Sequence, residues 1–184
     1  MGTKTQGLVA ESAISGPPVR LLSVEPDALD LIRAWLGDPE NNKWLDFGMG
    51  RQEVPRPMLK MMVASPNNFL RLYAPTSHSP PIGLVALSDI SRFHTANIWY
   101  VLGDKDYAMR GLTTAAVALM LNMGFQHLNL TSIQAWTVAS NTASVRILRE
   151  NCFRPMGRLR QAHIVNGQLQ DRLLFDLVAT DRQS

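Results

Sequence analysis

Residues 97–114 read NIWYVLGDKDYAMRGLTT, in which a polar loop joins an apolar strand to the start of an apolar helix. The first amides of a helix have no hydrogen-bond partner within it and carry the positive end of the helix dipole, so such a junction can bind phosphate or pyrophosphate. Gly111 has no Cβ and permits close approach, Arg110 adds a guanidinium, and Thr113 and Thr114 add hydroxyls. Similar junctions are common in proteins without a phosphate site, so this stretch alone leaves both interpretations open.

The segments around this stretch have the patterns of further strands and helices. Ahead of it we predict strands over 19–24, 69–73 and 82–87, and helices over 26–37 and from Pro57. After it we predict a helix over 111–125, a strand over 132–138, a helix over 141–151 and two C-terminal strands joined at Asn166-Gly167. With the strand over 97–102, this order predicts an α+β fold whose mixed, mostly antiparallel sheet has about seven strands flanked by about four helices.

The composition restricts the class of protein. The chain has 184 residues, of which 46% are hydrophobic and 18% charged, and these values are typical of one folded domain. No segment has the roughly 18 uninterrupted apolar residues of a membrane span, so we expect no membrane partner. One cysteine excludes an internal disulfide and favours a reducing, cytoplasmic location. We expect residues 1–18 to form a flexible N-terminal leader.

Positive charge is concentrated in one part of the chain. Lysine and arginine number 18 against 15 acidic residues overall, but residues 105–160 alone hold seven basic and two acidic side chains. This local surplus indicates an anionic ligand, and the alternative is an ordinary solvated basic face. We expect no nucleic-acid partner, because few aromatic residues are interleaved with these charges.

Several motifs extend across most of the chain. They are Trp35-Leu36-Gly37-Asp38-Pro39-Glu40, Ile82-Gly83-Leu84-Val85, Ile98-Trp99-Tyr100-Val101-Leu102, Ala108-Met109-Arg110-Gly111-Leu112-Thr113, and Asn141-Thr142-Ala143-Ser144 followed by Cys152-Phe153. Together these motifs resemble the GCN5-related N-acetyltransferase (GNAT) superfamily, and within it the ribosomal-protein N-terminal acetyltransferases. The resemblance implies a fourth strand with a bulge that splays the sheet.

The resemblance also implies a division of the chain and an activity. Residues 19–181 would form a single GNAT-like domain, with the acceptor side and central strands in 19–104, the CoA-binding half in 105–160 and a C-terminal hairpin in 156–181. The implied activity is direct transfer of an acetyl group, in a ternary complex, from acetyl-CoA to a primary amine of a small molecule or a protein N-terminus.

The resemblance assigns roles to particular residues. The backbone of Tyr100, Val101 and Leu102 would pair with the pantetheine arm and polarise the thioester carbonyl. The pyrophosphate would be held by the amides of Met109, Arg110, Gly111, Leu112, Thr113 and Thr114. Asn141 would contact the cofactor, and Ser144 would hydrogen-bond or protonate the leaving thiolate.

The sequence departs from the family pattern at several of these positions. Met109 stands where glycine is frequent, and Asn97 and Trp99 replace a frequent glutamate and glycine, which removes the obvious general base. Leu148 stands where many members have a tyrosine acid, so Ser144 is the remaining candidate. The alternative function is therefore a non-catalytic CoA-binding or protein-interaction module that has lost its acid–base residues.

The acceptor side has no diagnostic motif. Trp35, Trp44, Trp99 and His163 are candidate substrate-binding residues, although each is also compatible with a place in the core. We expect no metal, because the four histidines lack metal-ligand spacing. Cys152 is interpreted as a buried filler that replaces the glycine ending the last helix. A homodimer is a further expectation from the family.

Overall fold

The computed structural model describes residues 16–76 and 78–182, so most of the expected leader lies outside the described part of the chain. The strands are β1 Arg20–Leu22, β2 Phe69–Ala74, β3 Gly83–Ser88, β4 Thr95–Leu102, β5 Ser132–Val138, β6 Arg154–Val165 and β7 Gln168–Val178. The α-helices are α1 Leu29–Gly37, α2 Pro39–Asn42, α3 Arg56–Ala64, α4 Leu112–Asn122 and α5 Thr142–Glu150. A π-helical turn, Met123–His127, continues α4.

The strands form one sheet in the order β1-β2-β3-β4-β5-β7-β6, in which only the β4–β5 pair is parallel. The predicted α+β domain with a mixed, mostly antiparallel sheet is therefore confirmed. The described chain has five α-helices where about four were predicted, because α2 lies in a segment whose composition is typical of turns. Pro39 begins α2, and the Asp38 side chain caps it by accepting a hydrogen bond from the Glu40 amide at 3.0 Å.

Helices cover both faces of the sheet and define two clusters of buried side chains. Helices α4 and α5 bury one face over a cluster that includes Tyr73, Leu87, Ile98, Leu119, Met120, Ile133, Leu148 and Phe175. Helices α1 and α3 bury the other face over Ile32, Leu36, Leu59, Leu72, Leu84 and Val101. Burial of these large apolar side chains is the main favourable term that holds the three layers together.

Strands β4 and β5 separate toward their carboxyl ends. β4 pairs with β5 only at Thr95, Ala96 and Asn97, whereas β5 remains paired with β7 as far as Val138. The sheet therefore splays, but the predicted bulge is not present in the β3–β4 ladder, whose register runs without a shift. Side chains of β4 consequently keep strict alternation between the two faces.

This alternation sorts the β4 side chains between the two helical layers. Ile98, Tyr100 and Leu102 pack against the α4–α5 cluster, and Trp99 and Val101 pack against the α1–α3 cluster. One short strand thus contributes side chains to two chemically different surfaces.

Cys152 differs from the prediction of a buried filler. It is exposed, and its φ is 64° immediately after α5. A residue with left-handed backbone in this position ends a helix, and glycine is favoured there. Cys152 therefore takes the place of a helix-ending glycine, as predicted, but its side chain is not buried.

Candidate active site

An open cavity of about 1250 Å³ lies where β4 and β5 separate, and residues from both faces of the sheet line it. All the predicted cofactor-binding residues are in its wall: Tyr100, Val101, Leu102, Met109, Arg110, Gly111, Leu112, Thr113, Thr114, Asn141 and Ser144. These residues come from β4, the following loop, and the N-terminal turns of α4 and α5. The fold therefore brings two helix N-termini and one strand to a single cavity.

The chain enters α4 through two residues with left-handed backbone. Gly111, the N-cap, has a φ of 73°, and Met109 has a φ of 60° with a fully exposed side chain. Among the described residues, a Cβ added at Gly111 would meet only Pro17 within 4 Å, at 3.6 Å. The α4 N-terminus is thus approachable at Gly111. The left-handed backbone at Met109 is a conformation that glycine adopts most easily, which explains why the family often has glycine at position 109.

The charged side chains near this helix end favour an anion. Arg110 lies over the Tyr107 ring at 5.1 Å and forms no ion pair among the described residues. Arg146 pairs with Glu150 at 2.6 Å, so its charge is already compensated. Two other arginines of the basic segment form ion pairs on β6, away from the cavity. The excess of positive charge in residues 105–160 is therefore divided between the cavity and the C-terminal hairpin.

The hydroxyls at the start of α4 are already bonded within the protein. Thr113 Oγ1 lies 2.8 Å from the Tyr73 hydroxyl, and Thr114 Oγ1 donates to Glu150 at 3.1 Å. What this turn offers a phosphate is therefore chiefly its backbone amides.

Helix α5 presents Asn141 and Ser144 to the same cavity. Asn141 caps the helix, with Oδ1 accepting from the Ser144 amide at 3.2 Å. Ser144 Oγ lies 2.8 Å from the Tyr100 hydroxyl, which is also 3.3 Å from the Ser144 carbonyl oxygen. Burial raises the pKa of the Tyr100 phenol well above its usual value. The phenol therefore stays protonated at neutral pH.

On the opposite face of the sheet the cavity wall is apolar and aromatic. Trp44, Phe47, Met58, Met62 and Trp99 line it, and the Phe47 and Trp99 rings meet edge-to-face with centroids 5.6 Å apart. Such a surface holds the apolar part of an acceptor and attracts a cation through the ring faces.

A partly buried ion pair closes one side of this apolar surface. Arg172 Nη2 lies 2.6 Å from Asp46 Oδ2, and its guanidinium stacks 4.1 Å from the centre of the Trp136 ring. Asp46 also accepts from the amides of Gly48 and Gly50 at 2.8 and 3.0 Å. Although burial opposes it, these donors hold the pKa of Asp46 below its usual value.

His163 supports this ion pair from behind. Its Nε2 lies 2.9 Å from the Lys43 carbonyl oxygen, so Nε2 must carry the hydrogen, and Nδ1 accepts from Arg172 at 3.0 Å. Burial lowers the pKa of His163, which keeps the ring neutral.

The structure separates the four predicted substrate-binding residues into two groups. Trp44 and Trp99 line the cavity, whereas Trp35 and His163 do not. Trp35 packs beneath Gly103, where an added Cβ would lie 2.1 Å from the indole. His163 is buried and contacts two cavity residues, Arg172 by a hydrogen bond and Trp136 with ring centroids 5.7 Å apart.

Three cavity residues make contacts that sequence reasoning missed. The Tyr100 phenol could have been found from the alternation of β4, which places it on the Ser144 side of the sheet. Asp46 and Arg172 are 126 positions apart and had no shared local signal.

The described residues contain neither a candidate metal site nor a candidate membrane-spanning helix. No group of three or more His, Cys, Asp or Glu side chains among them is placed to hold a metal ion. None of the helices in that part of the chain is long and apolar enough to span a bilayer.

The cavity fits coenzyme A on its own geometry. It combines an accessible glycine at a helix N-terminus, an arginine (Arg110) that forms no ion pair within the described part of the chain, and a strand whose edge is released from its neighbour. Backbone amides and a guanidinium suit the pyrophosphate, and a strand edge suits the amides of a pantetheine arm.

Comparison with known proteins also indicates an enzyme that uses coenzyme A. The family profile described as "Acetyltransferase (GNAT) domain" matches residues 19–154. The chain is 26% identical, over 165 residues, to the "Uncharacterized N-acetyltransferase p20" of Bacillus licheniformis, covering 86% of this chain and 91% of that protein.

Solved structures share the fold at low sequence identity. Spermidine N-acetyltransferase from Vibrio cholerae, in complex with CoA and spermine, has a TM-score of 0.79 at 17% identity, covering 90% of this chain and 98% of that one. Mycobacterium smegmatis RimJ, in complex with CoA-disulfide, has a TM-score of 0.77 at 20% identity, covering 96% and 89%.

The fold and the cavity thus define an acyltransferase. The chain belongs to the GNAT acetyltransferase family, as its motifs predict. Its activity is acetyl-CoA-dependent N-acetylation of an amine.

Proposed function

We propose that the protein acetylates a primary amine by direct transfer in a ternary complex, with CoA on the α4–α5 side of β4 and the acceptor on the α1–α3 side. The observation that carries this proposal is the convergence of the α4 N-terminus, the released half of β4 and the Ser144 hydroxyl on one cavity. The two substrates would meet across β4, and holding them together supplies much of the rate.

The α4 side would bind the nucleotide end. The first amides of α4 and the Arg110 guanidinium would hold the pyrophosphate, and Gly111 would permit its close approach. The backbone of Tyr100, Val101 and Leu102 would pair with the pantetheine arm. Asn141 Oδ1 is engaged in the helix cap, so its amide nitrogen is the group that would contact CoA.

Ser144 would act at the leaving group. When the amine nitrogen attacks the thioester carbon, the C–S bond breaks and its electron pair goes to sulfur. A hydrogen bond from Ser144 Oγ would stabilise that developing thiolate. Leu148 is buried and has no acidic proton, which leaves this role to Ser144.

The proton lost by the attacking nitrogen would go to water. Asn97 and Trp99 do not titrate, and Asp46 is a poor base because its pKa is lowered and Arg172 occupies its oxygen. The rate should therefore increase with pH until the acceptor amine itself is unprotonated.

We also propose an acceptor whose amine is carried on an apolar or extended body, either a small molecule or a protein N-terminus. The aromatic and methionine wall supports this choice, since it offers area and cation–π attraction rather than a cluster of free carboxylates. Asp46 and Glu40 line the cavity, and each is already paired with a cation; Asp89 also lines it and accepts hydrogen bonds from Asn97 and Ser88.

A homodimer and a cytoplasmic location belong to the same proposal. Exposed apolar side chains on the C-terminal hairpin, namely Met156, Leu159, Ile164 and Leu169, support pairing with a second copy. The single free cysteine supports a reducing compartment.

Release of free thiol from acetyl-CoA tests the activity across a panel of polyamines, amino sugars and peptides with free N-termini. We expect turnover with at least one amine and none with the same compound after acetylation of all its amino groups. Calorimetry measures CoA binding in parallel. Tight CoA binding without turnover on any acceptor would favour the non-catalytic alternative and contradict the proposal.

A further inference from the structure

The phenol of Tyr100 contacts the proposed catalytic serine. The β4 alternation places its ring on the α4–α5 side of the sheet. Its hydroxyl oxygen lies 2.8 Å from Ser144 Oγ, which is a short hydrogen bond between two hydroxyl groups. Both residues line the cavity, so the pair lies at its wall rather than in the closed core.

The direction of this hydrogen bond determines what Ser144 offers to the cavity. If Tyr100 donates to Ser144 Oγ, the serine hydrogen is free to point at a sulfur atom in the cavity. If Ser144 donates to Tyr100 instead, the phenol hydrogen turns to the Ser144 carbonyl at 3.3 Å. A negative charge developing in the cavity favours the first arrangement, because donors in a chain polarise one another toward the anion.

We propose that Tyr100 is a positioning residue for the acetyl transfer, which donates to Ser144 Oγ and so aims the serine hydrogen at the departing thiolate. This inference rests on the proposed function of Ser144. The phenol keeps its proton throughout: the C–S electron pair stays on sulfur, the nitrogen proton leaves to water, and Tyr100 only donates its hydrogen bond. Its burial agrees with this role, because ionisation is unfavourable there.

Tyr100 thereby compensates for a position that has lost its acid. Leu148, on α5, is almost fully buried in the cluster that Tyr100 packs against, and it offers no hydrogen bond. The hydroxyl group on this side of the cavity is therefore supplied by Tyr100 of β4 and not by the α5 position of Leu148.

Tyr100→Phe tests the proposal by removing a single oxygen atom. We expect kcat to fall about tenfold, the effect of one oriented hydrogen bond, while the Kd for CoA changes less than threefold. The apparent pKa values of the pH–rate profile should be the same in the variant as in the wild type, because Tyr100 does not gain or lose a proton during the reaction. Circular dichroism confirms at the assay temperature that the variant is folded.

Two further variants separate positioning from simple structural loss. Tyr73→Phe removes another buried phenol hydrogen bond from the same sheet, one that joins Thr113 instead of Ser144, and we expect a much smaller loss of kcat. In a Ser144→Ala background, Tyr100→Phe should have no additional effect on kcat beyond about twofold.

The outcomes distinguish this inference from the proposed function. An unchanged kcat in Tyr100→Phe overturns the inference alone, as does an equal loss in the Ser144→Ala background or a loss confined to CoA affinity. No turnover by the wild-type enzyme on any amine overturns the proposed function, and this inference with it.

Discussion

Replacing Gly111 by glutamate should abolish tight CoA binding by placing a carboxylate at the α4 N-terminus. Among the described residues, the structure leaves room for a Cβ at this position. A Cβ at Gly111 lies 3.6 Å from Pro17, which is ordinary van der Waals contact, so steric overlap does not explain any loss. The backbone has a φ of 73°, so the substitution costs folding about 1 kcal/mol.

The electrostatic term is larger than this backbone term. A carboxylate about 6 Å from one phosphate charge repels it by about 3 kcal/mol at an effective dielectric constant of about 20. Solvent at the open cavity roughly halves that value, and the pyrophosphate carries two such charges. The total is therefore about 3 kcal/mol, which corresponds to an increase of about 100-fold in the Kd for CoA.

Gly167→Glu is the matched control for this substitution. Gly167 lies in the β6–β7 turn with a φ of 76°, and no described residue comes within 4 Å of a Cβ added there. Both variants therefore carry a similar backbone cost, which thermal melting measures, whereas only the first places charge at α4. Calorimetry at low and high salt gives the Kd, and the difference should shrink as salt screens the repulsion. Equal CoA affinity in the two variants would refute the placement of the pyrophosphate.

Three further predictions concern catalysis, pH dependence and packing. Ser144→Ala should lower kcat by about 10- to 100-fold in the thiol-release assay and change the Kd for CoA less than threefold. The free energy of unfolding should fall as the pH drops below about 6.5, because His163 is held neutral, and His163→Gln should flatten that dependence in urea titrations. Gly103→Ala should destabilise the fold by about 1–3 kcal/mol through overlap with Trp35, whereas Gly37→Ala should not destabilise it.

The sign of the pH effect follows from the direction of the shift. The folded protein lowers the pKa of His163, so between that pKa and the unfolded value the unfolded chain binds more protons. Stability therefore rises with pH through this window and is constant above it. An identical pH dependence in the His163→Gln variant would contradict the assignment of this effect to His163. Unchanged kcat in Ser144→Ala would contradict the role of Ser144 at the leaving group. Equal melting of the Gly103→Ala and Gly37→Ala variants would contradict the predicted overlap with Trp35.

Local sequence signals were enough to predict the strands and helices that surround the cofactor side of the cavity. The strand, loop and helix of residues 97–125 are contiguous, and both the apolar composition of the helix and the glycine at its start are visible in the sequence. The C-terminal hairpin was equally local, since Asn166 and Gly167 have the φ values of 50° and 76° that an Asn-Gly turn requires.

The acceptor side was not predictable because its residues come together only in the fold. The Asp46–Arg172 pair joins the loop after α2 to the last strand, and His163 supports it from β6. Trp35 shows a different difficulty. An aromatic residue on an amphipathic helix is equally compatible with a site or a core, and only the close approach of Gly103 shows that it packs.

The separation of β4 from β5 makes the stability of this protein depend on its ligand. Beyond Asn97 the carboxyl half of β4 has a sheet neighbour, β3, on one side only, so its cleft-facing amides lack the protection of a complete ladder. Such segments open locally at low free energy, and their amide hydrogens exchange early with deuterated solvent. A pantetheine arm bound along that edge would take the place of the missing strand and slow exchange on both halves of the sheet. By mass action the folded state would gain about 2.7 kcal/mol at a ligand concentration one hundred times the Kd.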